Sequence, residues 1–461
     1  MKATPPTRFL TAIAATIACL LALAAPAGAK QPNPLCKLPV KLCPSPPATP
    51  PTTPTPPAVD PGSQNPLVGK RLFMDCEASH QSSAVKYNAW WAVRQNPRHA
   101  TELRKIAEVP GTKWFAGIQE LPTRTVERFF ANVDDPQYGG PSCTAPLARG
   151  ARDAYVGHYP VVAIRRLVNG SCAGMKRVGD EYKAWIDEFI RMSQLTYVPN
   201  SLLPPSLLST VLLRPYLPVS RIFHEDERYQ YWMGQPFPKG RWVKAANREM
   251  TIILEPDAIG LMGVRNSCLK RSEVPSRLAL LAYAAQRLGS TPGMNVYIDA
   301  GSSSWLKRSK TAGYLRRAGV ANVRGFALNS THYNATSRER RYGDALARAL
   351  GKHYVINTAE NANGALPKRK WGKYGSAAST CNPRNAGLGT RPTTRTGSPY
   401  ADAFLWISRP GLSSNGKPGN PQCGRNGGPA GNVFYVKHAV RLARQANQAT
   451  FSGSVWPPPP L

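Results

Sequence analysis

The apolar run Thr251–Leu254 leads directly into Glu255-Pro256-Asp257, which sets two carboxylates at the end of a strand-like segment. Carboxyl groups flanking a bond suit hydrolysis of a sugar linkage: one protonates the leaving oxygen, and the other activates water or attacks. By itself the triplet says little, because Glu-Pro-Asp also occurs in ordinary turns. Further carboxylates stand at Glu360, close to another apolar run, and in the cluster His224, Glu225, Asp226 and Glu227. For each of these a solvated surface charge is the commoner role. There is no C-x-x-C pair or His cluster with metal-ligand spacing, so neither a metal nor another cofactor is expected.

The elements that must hold these residues alternate along the chain. Strand candidates are KWFAGI at Lys113, VVAIRRL at Val161, TIILEP at Thr251, MNVYIDA at Met294, VRGFALN at Val323, HYVINTA at His353 and DAFLWIS at Asp402. Between or after them lie amphipathic stretches: DEYKAWIDEFIRM, SEVPSRLALLAYAAQRL, YGDALARAL and VKHAVRLARQA. This alternation predicts an α/β fold around a buried parallel sheet, and so many strands favour a TIM-like β/α barrel over an open sheet. In a barrel, chemistry is sought just past the strand ends. From about Tyr197 to Asn247 the rhythm breaks in a segment rich in Pro and aromatics, including Tyr229, Tyr231, Trp232, Phe237 and Trp242. It reads as an insertion whose rings either stack on sugars or pin it to the domain.

Lys2 and Arg8, the apolar stretch Phe9–Ala25 and Ala27-Gly28-Ala29 form an export signal over residues 1–29. Residues 30–64 are a Pro/Thr-rich linker, 65–452 the catalytic-type domain and 453–461 a Pro-rich, frayed tail. Of nine cysteines, Cys19 leaves with the signal, and the remaining eight suit disulfides in an oxidising compartment. The expected location is secreted, extracellular or associated with the cell wall, with no membrane span in the mature chain and a monomeric state. The formal charge of +33, from 59 Lys and Arg against 26 Asp and Glu, favours polyanionic surroundings. The basic residues are scattered and no nucleic-acid motif stands out, so a specific nucleic-acid partner is not expected.

Several segments then carry a family resemblance: NVYIDAGSSSWL at Asn295, VRGFALNSTHYN at Val323, VINTAENANG at Val355, TCNPRNAGLGTRPTTRTGSPYADAFLWISRPG from Thr380 and CGRNGGPAGN from Cys423. With Glu255-Pro256-Asp257, and NPLVGKRLF at Asn65, this order and spacing resembles glycoside hydrolase family 6. The resemblance runs from about Asn65 to Ala449. It implies a distorted β/α barrel and metal-free cleavage of β-1,4-glucan with inversion. It makes Asp257 the general acid, Glu255 and Asp299 its supports, and Trp305, Asn329 and Arg409 substrate contacts. It pairs Cys172 with Cys268 and Cys381 with Cys423; Cys76 with Cys143 and Cys36 with Cys43 are then left.

The chain departs from the family at many site positions. Where the family's first motif has Tyr and then Arg-Asp-Cys, this sequence has Arg165 and then Gly170-Ser171-Cys172. The family's later Glu and Asp fall on Ser413 and Asn415, its His on Ser302, a Trp on Arg308, another Trp on Thr380 and an Arg on Glu360. Asn415 has no basic oxygen like that of a carboxylate, and Ser171 cannot keep a neighbouring acid protonated. Two readings follow: a hydrolase of altered specificity, with Arg165 and Arg308 suiting an anionic glycan, or a glycan-binding protein on a barrel that has lost its chemistry.

Overall fold

The structure is a computed structural model. It describes residues within 64–74, 89–116, 126–134, 158–167, 175–199, 240–263, 269–370, 380–414 and 427–451, apart from a few positions inside those ranges, together with Leu461. All of them lie in the compact unit Pro44–Leu461. Outside the described residues fall the export signal, nearly all of the linker, most of the insertion, Pro457–Pro460, Ser171, Asn415, and Cys36, Cys43, Cys76, Cys143, Cys172, Cys268 and Cys423.

Seven strands form one parallel sheet: β1 (Lys113–Phe115), β2 (Val161–Ile164), β5 (Met250–Leu254), β6 (Met294–Asp299), β7 (Gly325–Leu328), β8 (His353–Asn357) and β9 (Ala401–Leu405), adjacent in that order. Every expected strand segment is represented. These strands are apolar along their length because both faces are covered, as in parallel sheets generally. One face points into a curled core of Trp114, Ala163, Ile253, Tyr297, Ala327, Val355, Ala403 and Leu405. The opposite face, including Ile252, Leu254, Val296, Ile298 and Phe326, packs under the helices. The edge strands are joined without a ladder among the described residues. Thr112 N donates to Trp406 O at 3.0 Å, and Trp114 Nε1 donates to Ile407 O at 2.7 Å. The architecture is a distorted α/β barrel.

Helices α2 (Met175–Ser193), α3 (Val274–Gly289), α4 (Arg308–Arg317) and α5 (Thr336–Leu350) follow α1 (Ala100–Ala107) and precede α6 (Val436–Arg444). Pro in the first turn of α3 fits a position that needs no N–H donor, and Gly351, at φ 63°, ends α5 in the left-handed conformation. The chain runs β5–α3–β6–α4–β7–α5–β8, so each crossover returns the next strand to the same direction. Helix α4 escapes periodicity analysis because only Thr311, Ala312 and Leu315 of its ten residues are buried.

The insertion begins and ends in a two-stranded antiparallel ladder, β3 (Leu195–Pro199) with β4 (Gly240–Lys244), paired from Leu195↔Lys244 to Pro199↔Gly240. Local alternation in these strands is too brief to mark them. At the other end of the sequence the expectation of a frayed tail fails for Leu461. Its N–H donates to Lys70 O at 3.0 Å, and its carbonyl accepts from Gly69 N at 2.8 Å.

Candidate active site

The C-terminal ends of β2, β5, β6, β7, β8 and β9 supply the polar groups of the barrel mouth. Local backbone geometry there is unusual. Glu255 (φ 55°), Asp257 (φ 75°) and Asn329 (φ 69°) occupy the left-handed region without being glycine. Each such residue costs about 1–3 kcal/mol and persists where surrounding contacts fix it.

Those contacts are explicit. Glu255 is fully buried, and its carboxylate accepts the backbone N–H groups of Arg166 and Leu167, both at 2.9 Å. Burial pushes its carboxyl up to about 7 despite these bonds. It anchors the end of β5 to the end of β2 and is enclosed beneath the mouth. Asp299 is also buried and accepts Asp257 N at 2.9 Å, Gly301 N at 3.0 Å and Ser330 Oγ at 2.5 Å. Burial, followed by the neighbouring Asp257 charge, pushes it up to about 7.

Asp257 is the carboxylate that reaches the mouth. Arg165 Nη2 and Nε donate to its Oδ2 at 2.9 and 3.3 Å, and Thr331 Oγ1 donates to its Oδ1. Thr331 Oγ1 also lies 3.0 Å from His332 Nδ1, and the His332 ring meets Trp305 edge-on with 4.2 Å between centroids. Burial lowers the His332 imidazole, while Asp257 pulls the other way. Trp305 is half-buried and backs onto Gly260 so closely that a Cβ there would lie 1.5 Å from its ring.

Two more charged groups stand around the mouth. The guanidinium of Arg409 lies 4.9 Å from the centre of the Trp114 ring. Desolvation and then the like charge of Arg165 bring Arg409 down to about 10, with Glu360 opposing. Glu360 is buried just beyond β8, and His438 Nε2 of α6 is 3.6 Å from its carboxylate. The mouth therefore carries two acidic and two basic groups: Asp257, Arg165, Arg409 and Glu360.

Other expected site residues have different work. Asn329 is buried; both its amide donors go to Asn334 O and Asn357 O, and its Oδ1 accepts Asn334 N. It shapes the end of β7 and does not offer a sugar its amide group, which corrects the expected substrate contact. Ser302 is buried against Ser304 Oγ at 3.0 Å. Ser413 is buried, donates to Pro429 O at 2.9 Å and accepts Asn382 Nδ2 at 3.0 Å. Thr380 is exposed and serves through its carbonyl, which accepts Ser414 Oγ at 3.1 Å. Arg308 is exposed at the start of α4. Cys381 is disulfide-bonded. No cluster able to hold a metal occurs among the described residues.

Thr331, His332 and His438 were not picked out from the sequence. The first two follow β7 in STH, directly after the strand-end Asn329-Ser330, and position past a strand end is the signal that could have marked them. His438 lies on the buried face of α6, where periodicity reads it as core.

A family model described as "Glycosyl hydrolases family 6" matches residues 223–446. The chain is 28% identical over 384 residues to Endoglucanase A of Thermobispora bispora, covering 81% of this chain and 63% of that protein. It is 34% identical over 211 residues to Endoglucanase A of Cellulomonas fimi, covering 45% of this chain and 41% of that protein. The chain thus spans about half the length of the curated relatives it matches. Among solved structures, the endoglucanase Cel6 from Mycobacterium tuberculosis, in complex with methyl-cellobiosyl-4-deoxy-4-thio-β-D-cellobioside, is 28% identical. It aligns with a TM-score of 0.55, covering 83% of this chain and 99% of that one. Barrel topology, the Glu255-Pro256-Asp257 strand end and these similarities agree: the chain is similar to glycoside hydrolase family 6 in both sequence and barrel.

Proposed function

We propose that this protein is a secreted glycosidase that hydrolyses β-1,4-linked glycan with inversion, with a specificity shifted from plain glucan towards acidic chains. The observation that carries the reading is Asp257. It is a barely exposed carboxylate at a parallel strand end, set by a left-handed backbone beside Asp299. It belongs to a chain similar along most of its length to a protein named an endoglucanase.

In this reading Asp257 protonates the glycosidic oxygen as the C–O bond breaks. Water attacks the anomeric carbon from the opposite face and loses a proton to a base. Two described groups limit the choice of base. Ser413 has no basic oxygen, whereas Glu360 is a carboxylate three strands along from β5 whose charge acts on Arg409. Trp305 offers the unpacked part of its ring to a sugar. Asp299 holds Asp257 N and supplies a proton-binding group next to the acid.

A second reading, a non-catalytic protein that binds glycan in the cell envelope, is favoured by the ion pair between Arg165 and Asp257. A general acid must carry a proton, and this pair has to open first.

Reducing-sugar release from neutral and acidic β-glycans, with Asp257→Asn in parallel, separates the readings. A hydrolase loses about 10²–10⁴ in rate in the variant while folding is kept. Saturable binding without turnover in either protein would establish the second reading.

A further inference from the structure

The least expected contact at the mouth is that of Arg165, which commits Nη2 and Nε to one oxygen of Asp257. Arg409, with its guanidinium 4.9 Å from the centre of the Trp114 ring, adds a second positive charge to the same mouth. Arg165 and Asp257 are both more than three-quarters buried, so salt screens their interaction less than it would screen a surface pair. Guanidinium groups bind carboxylate and sulfate through paired N–H donors, so Arg165 can exchange the Asp257 oxygen for such a group.

We infer that Arg165 is a substrate-operated latch: an anionic group on the sugar docks on Arg165 and draws the guanidinium charge away from Asp257, which can then take up the proton it delivers. The inference rests on the proposed reading of Asp257 as the acid. It goes further by naming the trigger and the specificity-determining residue. A neutral glucan has nothing to offer Arg165, so it leaves the latch closed. The proton balance is that of ordinary acid catalysis: Asp257 gains a proton from solvent when the pair opens and gives it to the leaving oxygen. Arg165 remains charged throughout. Asp299, whose folded environment favours the protonated form up to about pH 7, keeps a second negative charge away from the acid in acidic solution.

Three chains of matched length test this: β-1,4-glucan, the same glucan oxidised to the uronic acid, and its sulfate ester. The unmodified full chain should show kcat/KM on the acidic forms at least about tenfold above the neutral one, the scale of one charge-assisted hydrogen bond. Arg165→Gln should produce crossed changes: turnover of the acidic chains falls and turnover of the neutral chain rises, bringing the ratio to about one. Arg165→Lys, which keeps the charge but not the paired donors, should fall between them. It also serves as the folded comparison if the glutamine variant is unstable. Losses on all substrates in proportion would mean that Arg165 is merely structural and would overturn the inference, as would a preference for the neutral chain. Titration calorimetry with the same chains separates this from failure of the hydrolase reading. Without turnover by any protein, an acidic preference in binding that Arg165→Gln abolishes still supports anion docking at Arg165, whereas equal binding of neutral and acidic chains sinks it. Preference for the uronate over the sulfate, or the reverse, identifies the anion.

Discussion

Asp299 and Glu255 show how much the site depends on single buried carboxyls. Both are pushed up to about 7, mainly by burial, although each accepts two backbone N–H groups that favour the charged form. The sign of the linkage follows. Between the ordinary carboxyl range and about pH 7 the folded chain holds protons that the unfolded chain has released. The stability they confer is complete at the acidic end and is lost as pH rises through about 7. Asp299→Asn cannot ionise, so its stability should fall less than that of the unmodified protein between pH 5 and pH 8, by on the order of 1–3 kcal/mol. Urea midpoints at the two pH values measure the difference. Parallel losses would show that Asp299 ionises in the folded protein as easily as in the unfolded one.

The strand ends and the loops after them work as elements because neighbouring backbones come unusually close. Gly260, in the turn after Asp257, lies directly under the Trp305 ring from the loop after β6, and a methyl group there would overlap the indole. Gly260→Ala must therefore displace either the turn or Trp305. The expected cost is about 1–3 kcal/mol, as for other overpacked sites, together with weaker glycan binding. A thermal melt and a binding isotherm on the same variant check both effects; unchanged binding would remove Trp305 from the glycan surface. The loop after β9 is fixed differently. Asn382, at φ 42°, donates to Ser413 Oγ and Gly427 O and accepts from Ser414 N, so one side chain ties three stretches of chain.

Across the whole molecule, one buried carboxylate at the start of β9 ties together the ends of neighbouring strands away from the mouth. Asp402 is skipped in the β8–β9 pairing, which moves from Tyr354↔Ala401 to Val355↔Ala403. It accepts Arg324 through both guanidinium donors at 2.9 Å and Tyr297 Oη at 2.7 Å, with His353 Nδ1 at 3.3 Å. Burial alone would raise its carboxyl, but Arg324, His353 and Tyr297 outweigh that and hold it below the usual range. Its contribution to stability is thus present at neutral pH and is lost only in strong acid. Arg324→Met would leave the charge of Asp402 buried without its main partner, and should cost about 3–5 kcal/mol in chemical denaturation. A cost under about 1 kcal/mol would show that the bulge tolerates an uncompensated charge.

The sequence by itself determined the strands of the barrel, most of its helices and the placement of Asp257 at a strand end. Parallel strands covered on both faces must be apolar throughout, and the chemistry of such folds sits where those runs stop. It also carried the expectation that several site positions of the resembled family are replaced. Only the tertiary structure decided what the replacements do. Arg165 and Asp257 are 92 positions apart, and nothing in either neighbourhood announces an ion pair. Asn329 looks like a polar residue offered to substrate until its amide is seen to be used inside the chain. Helix α4 and the β3–β4 ladder were hidden for the same reason: one buries too little, and the other is too short, for local pattern to outweigh long-range packing.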